Sequence, residues 1–312
     1  MSIVFYRIVS GRMTRFSRMD TRFWGPSGWK LLHLISFTYE YSATSATTLP
    51  AFLETIPYIL PCKFCRASLT DYYRQYPYAI PSPSNGSMNP TLDLKKWMYK
   101  IHNCVNGKLR SQGLYSAANP TYATVKKEYE AVAHLPWNQQ LALCWDFLFA
   151  VAYHHPTVTA KDAPLPDCPD DVKKCKDPCE KNKWNVLGYK ERMRWFRRFW
   201  VFLPAVLPHD MAEHWEAVEK KNPPTLGCRR SSLAWLWRMR CGLDAQFRDP
   251  YTSVCKTMAS YSSDCGKSEA ITCRRAKGLT RRAKGPSRRP LGRSSSRAFG
   301  PSRRKTLKKT KA

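Results

Sequence analysis

No stretch of this 312-residue chain stays apolar for long enough to cross a membrane. The longest apolar run, Leu141 to Tyr153, has 13 residues and is broken by Asp146. A spanning helix needs roughly 20, so the run suits a buried core helix. The apolar patch Ile3 to Tyr6 is too short for the core of a signal peptide. Met1 to Arg18 contains no acid, and its basic, Ser/Thr-containing character gives it a faint likeness to a transit peptide. Acid is absent again from residues 274–312, which hold 16 of the 52 Lys and Arg. Such a segment buries too little apolar surface to fold. It also has one aromatic residue, Phe299, which argues against base stacking. No strand-like alternation occurs in the first 135 residues, which excludes a sheet-based N-terminal fold.

Cysteine, in contrast, is plentiful: 12 residues, unusual for a chain kept in a reducing compartment. The apolar fraction of 43%, with 11 Trp and 16 Tyr, can fill sizeable cores. The length allows two modest domains and a tail. The expected division is an N-terminal extension (1–22), a helical domain (23–135), a second helical domain (136–250), and a Ser/Cys-rich then Arg/Lys-rich disordered tail (251–312). The tail repeats Arg-Arg-Ala-Lys-Gly at 274–278 and 281–285, and Gly-Pro-Ser-Arg-Arg at 285–289 and 300–304. It reads as an electrostatic arm for nucleic acid or another anionic surface, or as a nuclear address.

Apolar periodicity predicts helices over Ser27 to Tyr41, with Ser27 as N-cap, and over Thr48 to Leu60, bent at Pro57. A third runs from Cys62 or Lys63 to Tyr76. After a Pro/Ser/Asn/Gly loop at 77–92, a fourth runs from Asp93 to just before Gly113, and a short fifth spans Tyr122 to Ala133. This is an all-α pattern, a four-helix bundle with a short fifth helix. Further helices are predicted at Gln139 to Tyr153, Tyr189 to Leu203, His209 to Lys221 and Ser231 to Phe247. Residues 156–183 read as a linker, and 250–273 as poorly ordered.

The stretch Pro61-Cys62-Lys63-Phe64-Cys65 is the most informative. A Cys-x-x-Cys pair holds a metal, works as a redox pair, or forms half of a disulfide framework. Here it opens a helix, where the macrodipole and the flanking Lys63 favour thiolate. The fourth helix carries His102 and Asn106 at i,i+4, with Asn103 one step round. The first carries Trp29 and His33 at the same spacing, with Tyr39 further on. Each alone reads as packing; together they suit a large planar ligand with polar edges.

The series Trp29-x-x-Leu32-His33, Tyr39, Pro-Cys-x-x-Cys, and then Trp97-x4-His102-Asn103-x-Val105-Asn106 with Lys108 and Leu109 resembles the Erv/ALR family of FAD-linked sulfhydryl oxidases. The likeness covers residues 24 to about 130, in the family's order. It implies a helical bundle holding FAD, commonly in a homodimer, that passes electrons from reduced protein thiols, a thioredoxin-like carrier among them, to O2 to give H2O2. By position, Cys62 resembles the cysteine attacked by substrate, and Cys65 the one beside the flavin. Trp29, His33 and Tyr39 resemble first-helix cofactor contacts. His102, Asn103, Val105 and Asn106 resemble the surroundings of the adenine and ribose, Lys108 a cation near the phosphates, and Tyr129 a residue often Trp in the family.

The chain also departs from the pattern. Cellular members carry a structural disulfide from the His-Asn helix; the matching position is Tyr99, and no cysteine occurs between Cys104 and Cys144. With the long C-terminal extension, this resembles the oxidases of large DNA viruses. That implies host cytoplasm or virion, with the mitochondrial intermembrane space as the alternative. Cys175 and Cys179 are candidates for a relay pair or a bridge with Cys168, and Cys255, Cys265 and Cys273 form a further candidate relay. Their spacings fit no common zinc finger, and no metal is expected. The rival reading is a basic, nucleic-acid-associated structural protein whose cysteines bind zinc or staple the fold.

Overall fold

The computed structural model describes residues 21–42, 44–78, 90–157 and 164–261. Met1 to Arg18, most of the 77–92 loop, Cys265, Cys273 and the basic tail lie outside the described residues. Among those described there are helices and no strands. The bundle is α1 (Thr21–Thr38), α2 (Ser45–Ile59), α3 (Lys63–Gln75), α4 (Pro90–Ser111) and α5 (Tyr122–Ala133). It is followed by α6 (Trp137–Ala142), α7 (Trp145–Tyr153), α8 (Pro178–Lys183), α9 (Tyr189–Phe202), α10 (His209–Lys221), α11 (Arg229–Leu243) and α12 (Tyr251–Ser260). No described helix is long and apolar enough to cross a membrane.

The central helix is α1, which packs against α4, α5 and α7. It begins six residues earlier than its sequence suggests and runs through Pro26. Ser27 is therefore not an N-cap. It is buried inside the helix, where its hydroxyl donates to Leu143 O at 2.8 Å and accepts from Phe147 N–H at 3.1 Å. These bonds serve the break between α6 and α7, where one continuous helix is expected from the sequence. Next to it, a Cβ on Gly28 would lie 3.0 Å from the Phe147 ring, so a small residue is needed for α1 and α7 to approach.

One hydrophobic core extends from Trp24 to Met258 and crosses the boundary expected at 135/136. Across it α2 lies along α9, α3 meets α8, and α7 packs on both α1 and α11. The 156–183 linker contains α8 and a short 3-10 turn, Asp170–Lys173. Asp177 caps α8 with its side chain, and Pro178 occupies the first turn, where a missing N–H costs nothing. Residues 251–260, expected to be poorly ordered, form α12 because Val254 and Met258, one turn apart, are both buried.

Candidate functional site

Pro61 and the extended backbone of Cys62 end α2 and start α3. Cys62 is the N-cap of α3, and its sulfur accepts the Cys65 N–H at 3.4 Å. The Cys65 and Arg66 amides also bond the Cys62 carbonyl, at 3.0 and 2.9 Å. The helix start thus brings both cysteines together, each a free thiol. Cys62 is 4% exposed, while Cys65 is half-buried.

Their electrostatics divide sharply. The hydrogen bond from the Cys65 thiol pulls Cys62 down to about 7 against the effect of burial, helped by the Cys65 amide, Arg66 and Lys108. Donating that bond pushes Cys65 well above the usual thiol range, and burial adds to the rise. In the reduced pair, negative charge is therefore favoured on Cys62 over Cys65. The sequence pointed to Lys63 as the neighbouring charge, but its ammonium lies over the Phe64 ring. Lys108, expected beside phosphates, donates to Phe64 O at 3.2 Å and to the Ser68 hydroxyl, and is among the charges that lower the Cys62 thiol.

A second cluster forms where α1, α4 and α5 meet. Trp29 stacks on His102 with ring centroids 3.9 Å apart, and His33 stacks on Tyr129 at 4.4 Å. His33 Nε2 and His102 Nδ1 lie 2.9 Å apart, so one of them donates to the other. Burial is the first cause that lowers both imidazoles, with Lys30 adding to it. His33, which the His102 charge also disfavours, falls well below its ordinary value, and His102 falls to about 3. Both are neutral at pH 7. Lys30 pairs with Glu128 and sits 4.9 Å over the Tyr129 ring.

Two polar atoms in this cluster are buried without partners: His33 Nδ1 and the Tyr129 hydroxyl. Each such group typically costs about 1–3 kcal/mol. Asn106 is buried one turn beyond His102, and Asn103 and Val105 are half-buried on adjoining faces of α4. Tyr39 stands apart at the end of α1, where its hydroxyl accepts from Ser45 Oγ at 3.4 Å. Tyr99, at the position of the absent disulfide, donates to Pro120 O at 2.8 Å and meets Tyr122 edge-on. It ties α4 to the start of α5 without sulfur.

Among the remaining cysteines, Cys179 Sγ lies 3.1 Å from the Tyr58 hydroxyl. Cys175 Sγ accepts the Asp177 N–H at 3.3 Å. Cys168, Cys175, Cys179 and Cys255 are all free and half-buried. Cys104 is likewise half-buried. Among the described residues no three His, Cys, Asp or Glu are placed to hold a metal ion.

Two residues beside the dithiol carry no local sequence signal: Arg66, which is 4% exposed, and Asn185, which bonds it from 119 residues away. An arginine one residue past a Cys-x-x-Cys looks like any surface residue until its acceptors are known.

The Erv1 / Alr family model matches residues 26–130, which hold both the dithiol and the ring cluster. A protein of invertebrate iridescent virus 6 named as a FAD-linked sulfhydryl oxidase is 31% identical over 97 residues, 29% of this chain and 83% of that protein. A probable FAD-linked sulfhydryl oxidase of Acanthamoeba polyphaga mimivirus is 30% identical over 90 residues, 28% of this chain. The mitochondrial FAD-linked sulfhydryl oxidase of Saccharomyces cerevisiae is 31% identical over 88 residues, also 28% of this chain. The chain spans 59% and 42% of the lengths of those last two proteins. No solved structure matches. The matched segment carries the whole constellation of cysteines, histidines and aromatic rings, and the chain belongs to the Erv1/Alr family.

Proposed function

We infer that this protein is a FAD-dependent thiol oxidase that forms disulfides in protein substrates through Cys62 and Cys65. The observation that carries the reading is the dithiol at the start of α3, inside the family-matched segment, with one thiol held near 7. A buried structural thiol moves the other way: Cys144, fully buried, is pushed up to about 12.

The ring cluster suits the cofactor on its chemistry. Trp29, His33, His102 and Tyr129 offer flat apolar faces, and the unpartnered His33 nitrogen and Tyr129 hydroxyl offer polar edges that a heteroaromatic ligand can satisfy. These four residues, with Asn106, are the ones assigned to hold FAD. Asn103, Val105 and Tyr39 are outer contacts, and Lys108 serves the dithiol. When bound, FAD supplies the two-electron acceptor and the route to O2, with H2O2 as product.

The protein's own part is thiol exchange. A substrate thiolate attacks Cys62 of the oxidised pair, the S–S bond breaks, and Cys65 leaves as thiolate. A second substrate thiolate then attacks the mixed disulfide, releasing the substrate disulfide and leaving both cysteines reduced. The charge in the reduced pair makes Cys62 the better leaving group, which would put the attack on Cys65 instead. Trapping separates the two: when the oxidised wild-type pair is treated with a monothiol and quenched with acid, the S–S bond opens, and the adduct sits on Cys62 in the first case and on Cys65 in the second, the other cysteine being released as a thiol.

The recessed pair suits small dithiols directly, and Cys175 and Cys179 are the candidate relay from larger substrates. A homodimer, a thioredoxin-like carrier and contact of the basic tail with anionic polymers belong to the same proposal. So does a place in host cytoplasm or virion. The test is purification and colour. The protein should come off the column yellow and take up oxygen with dithiothreitol, and Cys65→Ser should stop the uptake while keeping the flavin. A colourless protein that releases zinc to a chelator would support the structural alternative and end this one.

A further inference from the structure

Arg66 is 4% exposed, an unusual setting for a guanidinium. Its amide bonds the Cys62 carbonyl at 2.9 Å, and Nη1 donates to Leu60 O at 2.8 Å. One residue therefore grips the chain on both sides of Pro61, holding the turn on which Cys62 stands. Nη2 donates to Asn185 Oδ1 at 2.6 Å, which ties that turn to the second half of the chain.

Asn185 is itself held in place. Its backbone is left-handed, with φ 59°, and its N–H bonds Asn182 O at 3.1 Å. Asn182 is 1% exposed and donates Nδ2 to Pro57 O at 3.0 Å and to Thr70 Oγ1 at 2.8 Å. These bonds fix the 182–185 turn to the end of α2 and the face of α3. Outer ion pairs surround it: Arg74 with Asp177 and Glu180, and Lys183 with Asp71. Exposed pairs of that kind contribute little, so the buried amides fix the geometry.

We propose that the Asn182–Asn185 turn is a positioning element of the dithiol site: it holds Arg66 against the Leu60–Cys62 turn, and so lets the second half of the chain set how readily Cys62 reacts. This rests on the reading of Cys62 and Cys65 as the reacting pair. The groups that act on Cys62 are the Cys65 thiol and amide, Arg66 on the same helix, and Lys108 from α4. The Arg66 side chain is held from the second half of the chain, by Asn185. A fixed guanidinium stabilises a thiolate more than one free to turn towards water.

The test is the pH profile of Cys62 alkylation by iodoacetamide in the reduced full-length protein, read by peptide mass spectrometry. Trypsin cuts after Lys63 and so separates the two cysteines. Asn185→Gly keeps the left-handed backbone and removes only the amide. Asn185→Asp keeps the shape and sets a carboxylate on Arg66. We expect the apparent pKa of Cys62 to rise by about half a unit in the first and by more in the second. Arg66→Lys should fail to restore the wild-type profile, since an ammonium cannot span both acceptors in the same fork. Unchanged profiles in both Asn185 variants, with folding intact by circular dichroism, would overturn the proposal and leave the turn a purely structural tether. Normal turnover in Cys65→Ser would instead overturn the functional reading beneath it, so the two failures are distinguishable.

Discussion

The matched segment contains two buried sites of opposite electrical character. At the dithiol, an S–H donor, a backbone N–H, Arg66 and Lys108 converge on one sulfur and support a charge there. At the ring cluster burial works unopposed: two imidazoles share one hydrogen bond and stay neutral, and two polar atoms have no partner. The difference teaches that burial alone does not decide ionisation; the donors aimed at the group do. It also separates two tasks. One site favours charge on a sulfur, and the other packs neutral rings around two polar atoms whose hydrogen-bonding capacity is unspent.

The largest effect that can break this comparison is at the dithiol. Cys62→Ser should reduce thiol-dependent oxygen uptake by about a thousandfold or more, because exchange has no second route through the pair. Cys175→Ser with Cys179→Ser should leave the dithiothreitol rate nearly unchanged and slow oxidation of a reduced protein. Equal loss on both substrates would place Cys175 and Cys179 in the core chemistry, and no loss on either would make them structural.

The second prediction addresses the neutral histidines through pH. The folded pKa of His102 is depressed, to about 3, below an unfolded value near 6.5. Between those values the unfolded chain binds more protons, so stability is full above about 6.5 and falls as pH drops towards 3. At pH 5 the loss from His102 alone is about 2 kcal/mol. Melting temperature measured between pH 7 and 5 checks this, and His102→Gln should flatten the slope. A wild-type protein equally stable at both pH values would mean that the cluster accepts a proton, and that its neutrality is misread.

Much of this arrangement was legible because it is local. The α3 start, the i,i+4 spacing of Trp29 with His33 and of His102 with Asn106, and the Tyr122–Ala133 helix all follow from patterns a few residues long. What was not legible depends on partners distant in the chain. Ser27 has the residue type and place of an N-cap, yet its hydroxyl serves a helix break 116 residues on. Lys108 suited a phosphate by position, and nothing in its spacing showed that it also bonds Phe64 O and Ser68, 44 and 40 residues back. Arg66 and Asn185 are ordinary polar residues until the fold brings them together. The 3.6-residue period also underrated α12, because too few of its residues face the core to make a strong stripe.

A smaller effect tests the unspent hydrogen bonds. Tyr129→Phe removes a buried hydroxyl with no partner. In the flavin-free protein the change should be neutral or stabilising, by up to about 1–2 kcal/mol, since a desolvated donor is relieved. In the loaded protein it should weaken flavin retention. Denaturant melts of both forms give the two numbers. A flavin-free variant destabilised by more than about 1 kcal/mol would show that the hydroxyl already has a partner, and the cluster would lose one of its two unpartnered polar atoms.

The smallest effect concerns what keeps the ring cluster assembled without a disulfide. Tyr99 donates to Pro120 O at 2.8 Å and packs edge-on against Tyr122 at 5.5 Å, joining α4 to the segment that leads into α5. That segment sets the position of Tyr129, and α4 that of His102, so the bond spans the two helices that bring these rings together. Tyr99→Phe keeps the ring and deletes the hydroxyl, leaving the Pro120 carbonyl to water; the expected cost is about 1 kcal/mol. It should lower the melting temperature a few degrees and loosen flavin retention slightly. The alkylation profile of Cys62 should not move, because Tyr99 is not among the groups that set its charge. A shift in that profile would mean that the two sites are coupled through α4, which also carries Lys108. The separation of a charged site from a neutral one would then belong to a single mechanical unit rather than to two.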